Sequence, residues 1–305
     1  MSVHRSLIWL LALASAACAP VRSGEPVSPA QARAEFARPI LLAPDDVRAF
    51  PEPPRGFADP APGVPAGRIE DLAYRSDVTG TRRQARIYLP AGYDSSRRYP
   101  VLYLLHGIGG NQDEWRGYVR APAILDHLLA SGRAVPMIVV MPNGRALADD
   151  APPPADQVFT PANAAGFDRF ERDLLDFLIP AVDATYPTMA DPAHRAIAGL
   201  SMGGGQALDF GLAHLDRFAW VGGFSPAPNT RSIDELIPDP ARARRDLRLL
   251  YLSCGNRDGL INVSQTVHRG LARHAVPHVW NVDEHGHDRD SWAENLHHFA
   301  QLIFR

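Results

Sequence analysis

Three groups of residues carry chemistry, and they occur in an informative order. Gly199-Leu200-Ser201-Met202-Gly203 sets a serine between glycines, directly after an apolar run and at the start of a helical pattern. A serine on so tight a turn has an exposed hydroxyl, and the first N–H groups of the helix stand beside it. Cys254-Gly255-Asn256-Arg257-Asp258 places an acid just beyond a later apolar run, and Asp283-Glu284-His285-Gly286-His287-Asp288 places histidines beyond the last one. Serine, acid and base in that order, 57 and then 29 residues apart, suit nucleophilic attack on an acyl carbon. Ser201 is the nucleophile, His287 the base that takes its proton, and Asp258 the carboxylate that fixes the histidine tautomer. His285 is the second choice for the base.

A fourth group completes the set. His106-Gly107-Ile108-Gly109-Gly110 follows another apolar run. A glycine-rich loop there can aim a backbone N–H at the oxyanion that the Met202 N–H also faces. Ile108 is the first choice for this second donor and Gly109 the next. His106 is read as the hydrogen-bonding support of the loop. Cys254 is read as a small buried strand residue, and Asp258 could alternatively do no more than cap the helix that follows it. The histidine–acid cluster at 283–288 is fully used by one catalytic histidine and loop polarity, so no metal is expected, and the chemistry calls for no cofactor.

Strands and helices must hold these groups. Ile69–Arg75 and Arg83–Leu89 read as an antiparallel pair. Val101–Leu105 and Met137–Met141 are short continuous apolar runs, as in strands buried on both faces. Arg195–Leu200, Ala219–Phe224, Leu247–Ser253 and His278–Asp283 extend the series. Between them Phe167, Phe170, Leu174 and Leu178 share a helical face, as do Val263, Val267 and Leu271, and then Trp292, Leu296, Phe299 and Ile303. The pattern predicts an α/β fold with a mostly parallel eight-stranded sheet and helices on both faces, its site at the carboxyl ends of the strands. Gly204 and Gly205 are expected to let the helix after Ser201 lie close to the sheet. His297 and His298 are expected on an exposed or boundary face of the last helix.

Composition narrows the chemistry. Net charge is −3 over 305 residues, which gives no electrostatic case for nucleic acid. All 31 basic residues are arginine, which removes Schiff-base, P-loop and Ser-x-x-Lys chemistry. Arg242, Arg244, Arg245 and Arg248 read as a solvated surface. Residues 1–18 read as an export signal, with His4 and Arg5 before an apolar run from Leu7 to Ala17. Cleavage after Ala16 would leave a soluble periplasmic or secreted protein. Cleavage before Cys18, in Ser15-Ala16-Ala17-Cys18, would leave a lipid-anchored one, the sole membrane association expected. Residues 19–66 hold eleven of the 28 prolines. They read as a linker, or an arm wrapped over the domain, that cannot sustain helix or sheet. The catalytic domain is expected over 67–305.

From about Arg83 to Arg305 the chain resembles the esterase D and feruloyl esterase branch of the α/β hydrolases, which includes acetyl xylan esterases and mycolyltransferase-like enzymes. The resemblance rests on Tyr99–Gly110 (YPVLYLLHGIGG), His194–Gly205 (HRAIAGLSMGGG), Ser225–Asn229, Ser253–Asp258, and Gly286-His287-Asp288 followed by Trp292. It implies the same triad, and acyl or feruloyl esters of carbohydrates or small esters as substrates. Two stretches depart from the family pattern, Ala148–Pro161 and Ile233–Arg245, and both are expected to line the acyl or sugar pocket. Trp115 and Trp280 are read as packing residues that could alternatively stack on sugar or phenolic rings. An acyltransferase on the same triad and a catalytically idle envelope- or carbohydrate-binding protein are the alternative functions.

Overall fold

The computed structural model describes residues 29–305, so the export signal and Cys18 lie outside the described residues. Eight strands form one sheet: β1 (Arg68–Ser76), β2 (Thr81–Leu89), β3 (Val101–Leu105), β4 (Ile138–Pro142), β5 (Arg195–Leu200), β6 (Trp220–Phe224), β7 (Leu249–Gly255) and β8 (Val279–Asp283). Their order is β1-β2-β4-β3-β5-β6-β7-β8. β1 pairs with β2 and β2 with β4 antiparallel; every other pairing is parallel. The expected sheet is present, with the opening hairpin as its antiparallel edge. β7 begins two residues later than its apolar run, at Leu249.

The helices cover both faces because alternate strand residues point to opposite sides. Val101, Tyr103 and Leu105 join Ile197 and Val221 on one face. Against them pack α3 (Pro161–Asp173), the wide turn Leu174–Leu178, α4 (Ile179–Thr185), α5 (Met202–Ala213) and α8 (Ile261–Arg273). Leu102 and Leu104 point the other way, to α2 (Ala121–Ala130) and α9 (Arg289–Leu302). His297 and His298 on α9 are 2% and 5% exposed, so the expected exposed or boundary position is corrected. Phe57 packs edge-on to the first ring and Phe50 stacks on the second. The arm covers them, and a local pattern has no means of registering so distant a segment.

The arm itself contains α1 (Pro29–Phe36), which corrects the expectation of no helix. Proline opens this helix, where its missing N–H costs nothing, and alanine-rich sequence follows with no proline before Pro39. Residues 37–66 carry neither helix nor strand and lie on the domain. The Val47 carbonyl accepts from the Val282 N–H, the Ala49 N–H donates to Asn281, and Arg48 pairs with Glu294. The short helices α6 (Ile233–Leu236) and α7 (Pro240–Asp246) occupy the second departing stretch, and Arg244, Arg245 and Arg248 are exposed there. Among the described residues no helix is long and apolar enough to cross a membrane.

A buried ion pair ties the sheet to the segment after β4. The Arg83 guanidinium, fully buried on β2, pairs with the equally buried Asp173 of α3. It also donates to the carbonyls of Asn143 and Arg145 at 2.8 Å each, and the Tyr74 hydroxyl donates to the same Asp173 oxygen. Arg83→Ala leaves Asp173 charged and unpaired inside the protein, an arrangement that costs roughly 3–5 kcal/mol. The expected drop in the thermal midpoint is roughly 10 °C, checked by differential scanning calorimetry. An unchanged midpoint would show that the pair contributes nothing net.

Candidate active site

The serine sits at the sharpest point of the backbone. Ser201 has φ 53° and ψ −121°, a strained conformation for a residue with a Cβ. The turn closes because the flanking positions are bare. A Cβ on Gly199 would come within 2.2 Å of the Gly203 carbonyl oxygen, and one on Gly203 within 2.5 Å of the Leu105 and His106 carbonyls. Helix α5 therefore starts almost against the ends of β3 and β5. Gly204 lies close to the Phe224 carbonyl on the sheet as expected, whereas Gly205 faces the Asn229 side chain instead.

The three expected residues meet at the carboxyl edge of the sheet. His287 Nε2 lies 2.9 Å from Ser201 Oγ, and His287 Nδ1 lies 2.8 Å from Asp258 Oδ2. Asp258 is fully buried, and its other oxygen accepts the Leu260 N–H at 2.8 Å. That bond precedes α8, whose N-cap is Leu260 without a side-chain cap, so the alternative reading of Asp258 as a helix cap is corrected: it faces the histidine. Burial pushes its carboxyl up, but the hydrogen bond and charge of His287 and the Leu260 N–H outweigh that and hold it below the usual carboxylate range. It stays ionised at neutral pH, as an acid that stabilises an imidazolium must. His285 turns away, 3.2 Å from Glu294, which raises its pKa; it does not face Ser201 as a second base.

Two elements carry the N–H groups expected to face an oxyanion. Met202 opens α5, so its N–H has no acceptor within the helix. In the loop after β3, the Gly107 N–H is committed to Glu114 Oε2 at 2.7 Å and the Gly110 N–H to the Gly107 carbonyl. Ile108 and Gly109 lie between them, and both line the pocket in front of Ser201. Asn163 on α3 donates to the Ile108 carbonyl and holds the loop from outside. Sequence reasoning passed over Glu114. It is a half-buried carboxylate whose pKa is raised by desolvation, and the acid seven residues past the loop glycine was its only local sign.

His106 supports the loop as expected. Its Nδ1 lies 2.7 Å from the Gly107 carbonyl, and its Nε2 accepts the Gly144 N–H at 2.8 Å. A proton on Nε2 would break the second bond, so the neutral ring is the one that fits. Cys254 is buried and unpaired, with its thiol pushed far up by burial, which leaves it no nucleophilic role.

The pocket at Ser201 is a cavity of about 230 Å³ with an apolar lining. Trp292, Phe159, Leu260 and Phe36 are among its walls, and none of these four was read as a site residue. The departing stretch Ala148–Pro161 reaches it through Phe159, whereas Ile233–Arg245 does not line it, which corrects that expectation. Trp115 is buried and donates to the Leu105 carbonyl, and Trp280 stacks on His268; neither lines the pocket. Among the described residues no group of three or more His, Cys, Asp or Glu is arranged to hold a metal ion.

A parallel sheet with a serine on the turn after β5, an acid after β7 and a histidine after β8 defines an α/β hydrolase. Within that class the chain belongs to the esterase family described as "Putative esterase", which matches residues 76–301. It is 32% identical over 244 residues to an endo-1,4-beta-xylanase/feruloyl esterase of Xylanibacter ruminicola, covering 78% of this chain and 32% of that protein. It is 27% identical over 245 residues to endo-1,4-beta-xylanase Y of Acetivibrio thermocellus, covering 74% and 20%. The chain thus spans about a third or less of the length of these curated relatives. A CE1 ferulic acid esterase from Anaeromyces mucronatus, solved in complex with ferulic acid, superposes with a TM-score of 0.75 at 27% identity, covering 87% of this chain and 98% of that one.

The buried histidine sets a pH dependence. Burial lowers the His106 pKa from 6.5 to about 4, so the native protein holds the ring neutral where the unfolded chain protonates it. The stability tied to that difference is fully present above pH 6.5. It is lost as pH falls toward 4, and amounts to about 3 kcal/mol. Urea unfolding at a series of pH values should show a shallower acid slope for His106→Gln than for the wild type. Parallel slopes would remove His106 as a source of acid lability.

Proposed function

We propose that the chain is a serine carboxylic ester hydrolase working through an acyl-enzyme, on acyl or feruloyl esters of carbohydrates or small alcohols. The observation that carries the proposal is the unbroken line from Ser201 Oγ through the His287 ring to the buried Asp258, at 2.9 and 2.8 Å, opening onto an apolar pocket.

Each step follows from that line. His287 Nε2 takes the Ser201 proton as Oγ attacks the ester carbonyl, and the negative charge moves to the carbonyl oxygen. The N–H groups of Met202 and Ile108 receive that oxygen; losing one such donor typically costs about a hundredfold or more in rate. The imidazolium, stabilised by Asp258, then passes its proton to the alcohol oxygen, which leaves. A water molecule repeats the cycle through His287 and releases the acid. The apolar lining favours the acyl chain or ring over water, and the named activities of the relatives support ferulic or related acyl groups. The apolar segment before Cys18 supports export, to be followed by release or by lipid anchoring at that cysteine.

Initial rates on 4-nitrophenyl acetate, 4-nitrophenyl butyrate, methyl ferulate and acetylated xylan test this. Ser201→Ala is expected to fold normally and to lose roughly a thousandfold or more in kcat on every ester the wild type hydrolyses. Comparable turnover by the variant would remove Ser201 as nucleophile.

A further inference from the structure

The arm does more than cover the domain: its first described element reaches the catalytic histidine. Phe36, the last residue of α1, meets the His287 ring edge to face, with centroids 5.3 Å apart and planes at 86°. Trp292 meets the same ring at 5.1 Å and 90°. The imidazole therefore sits between two aromatic side chains, one from each end of the described chain. The Phe36 backbone rests on Gly259, next to the triad acid; a Cβ there would come within 2.7 Å of the Phe36 carbonyl oxygen. Behind this contact the arm is anchored at several points. Gln265 donates to the Leu41 carbonyl at 2.8 Å and to Asp46 at 2.6 Å, Trp280 donates to the other Asp46 oxygen at 3.0 Å, and Asp45 pairs with His268.

The position of Phe36 has a chemical meaning. The two ends of the site receive different halves of an ester. The carbonyl oxygen must face the N–H groups at Ile108 and Met202. The alcohol oxygen must lie where His287 can protonate it as it leaves. Phe36 stands at the histidine–aspartate end, over His287 and Gly259, and lines the pocket from there while 42% of its surface remains open. We propose that Phe36 is a specificity-determining residue of the alcohol subsite, where its exposed ring packs against a ring-bearing alcohol group such as a sugar or an aryl ring. It lies outside the span that matches the esterase family, so the selectivity it confers comes from the arm and not from the shared catalytic core.

The proposal rests on the ester-hydrolase reading, and the test separates the two. Methyl ferulate and benzyl ferulate share an acyl group and differ only in the alcohol; methyl and benzyl acetate serve as a second pair. Phe36→Ala is expected to lower kcat/KM about tenfold more for the benzyl ester than for the methyl ester, a difference equivalent to about 1.4 kcal/mol. Phe36→Leu, which keeps apolar contact, should fall between. Equal losses on both esters would assign Phe36 to holding His287, and no loss on either would make it a surface residue; each result overturns the proposal. A wild type that hydrolyses none of the four esters defeats the ester-hydrolase reading, and the Phe36 assignment falls with it.

Discussion

The backbone strain at Ser201 is the constraint on which the site depends. A residue with a side chain is held at φ 53°, a conformation costing about 1–3 kcal/mol, and the surroundings leave it no alternative. β5 delivers the chain to the turn, and α5 must leave at once over the ends of β3 and β5. The Ser201 N–H donates to the Phe224 carbonyl, and the Ser201 carbonyl accepts from Gly205 and Ala227. Neighbouring strand, helix and loop thus fix the peptides on both sides of Ser201. The same turn that lifts the hydroxyl out of the sheet brings the unpaired N–H groups of α5 beside it, so both arise from a single local geometry.

Around this turn lies a layer of buried polar groups that fixes the loops. Arg83 holds the backbone after β4, His106 bridges that backbone to the loop after β3, and Gln206 on α5 donates to the carbonyls of Gly144 and Phe167. These contacts tie together the loops that continue beyond the strand ends. They order the pocket wall without adding a charge to it. Glu114 is the exception, a carboxylate spent on orienting the Gly107 peptide. The result is a rigid polar frame behind an apolar pocket surface.

Much of this was legible in the residues. The strands β3 and β5 are found where their apolar runs predicted, since a strand buried on both faces writes itself into consecutive positions. Ser201, Asp258 and His287 were legible because each follows an apolar run, where a parallel sheet collects its functional loops. What escaped depends on partners far away in sequence. Phe36 and Trp292 become pocket walls only through their meeting at His287. His297 and His298 are buried only because Phe57 and Phe50 come from the arm to cover them. Proline content alone made residues 19–66 look unstructured, whereas the short proline-free run after Pro29 was enough for a helix with a surface to rest on.

The route of the arm also fixes an order of assembly. Residues 41–49 of the arm are anchored on Gln265, His268, Trp280, Asn281, Val282 and Glu294, all on the last three major elements of the chain, whereas Asp59 is held earlier, by Arg120 and His127 of the α2 region. A growing chain would have to carry residues 41–49 unplaced until α8 and β8 existed. His287 arrives in the same late stretch. Completion of the Ser201–His287–Asp258 line and the closing of the arm over it therefore both wait for the end of the chain. A chain cut short before β8 would lack His287 and most of these anchors.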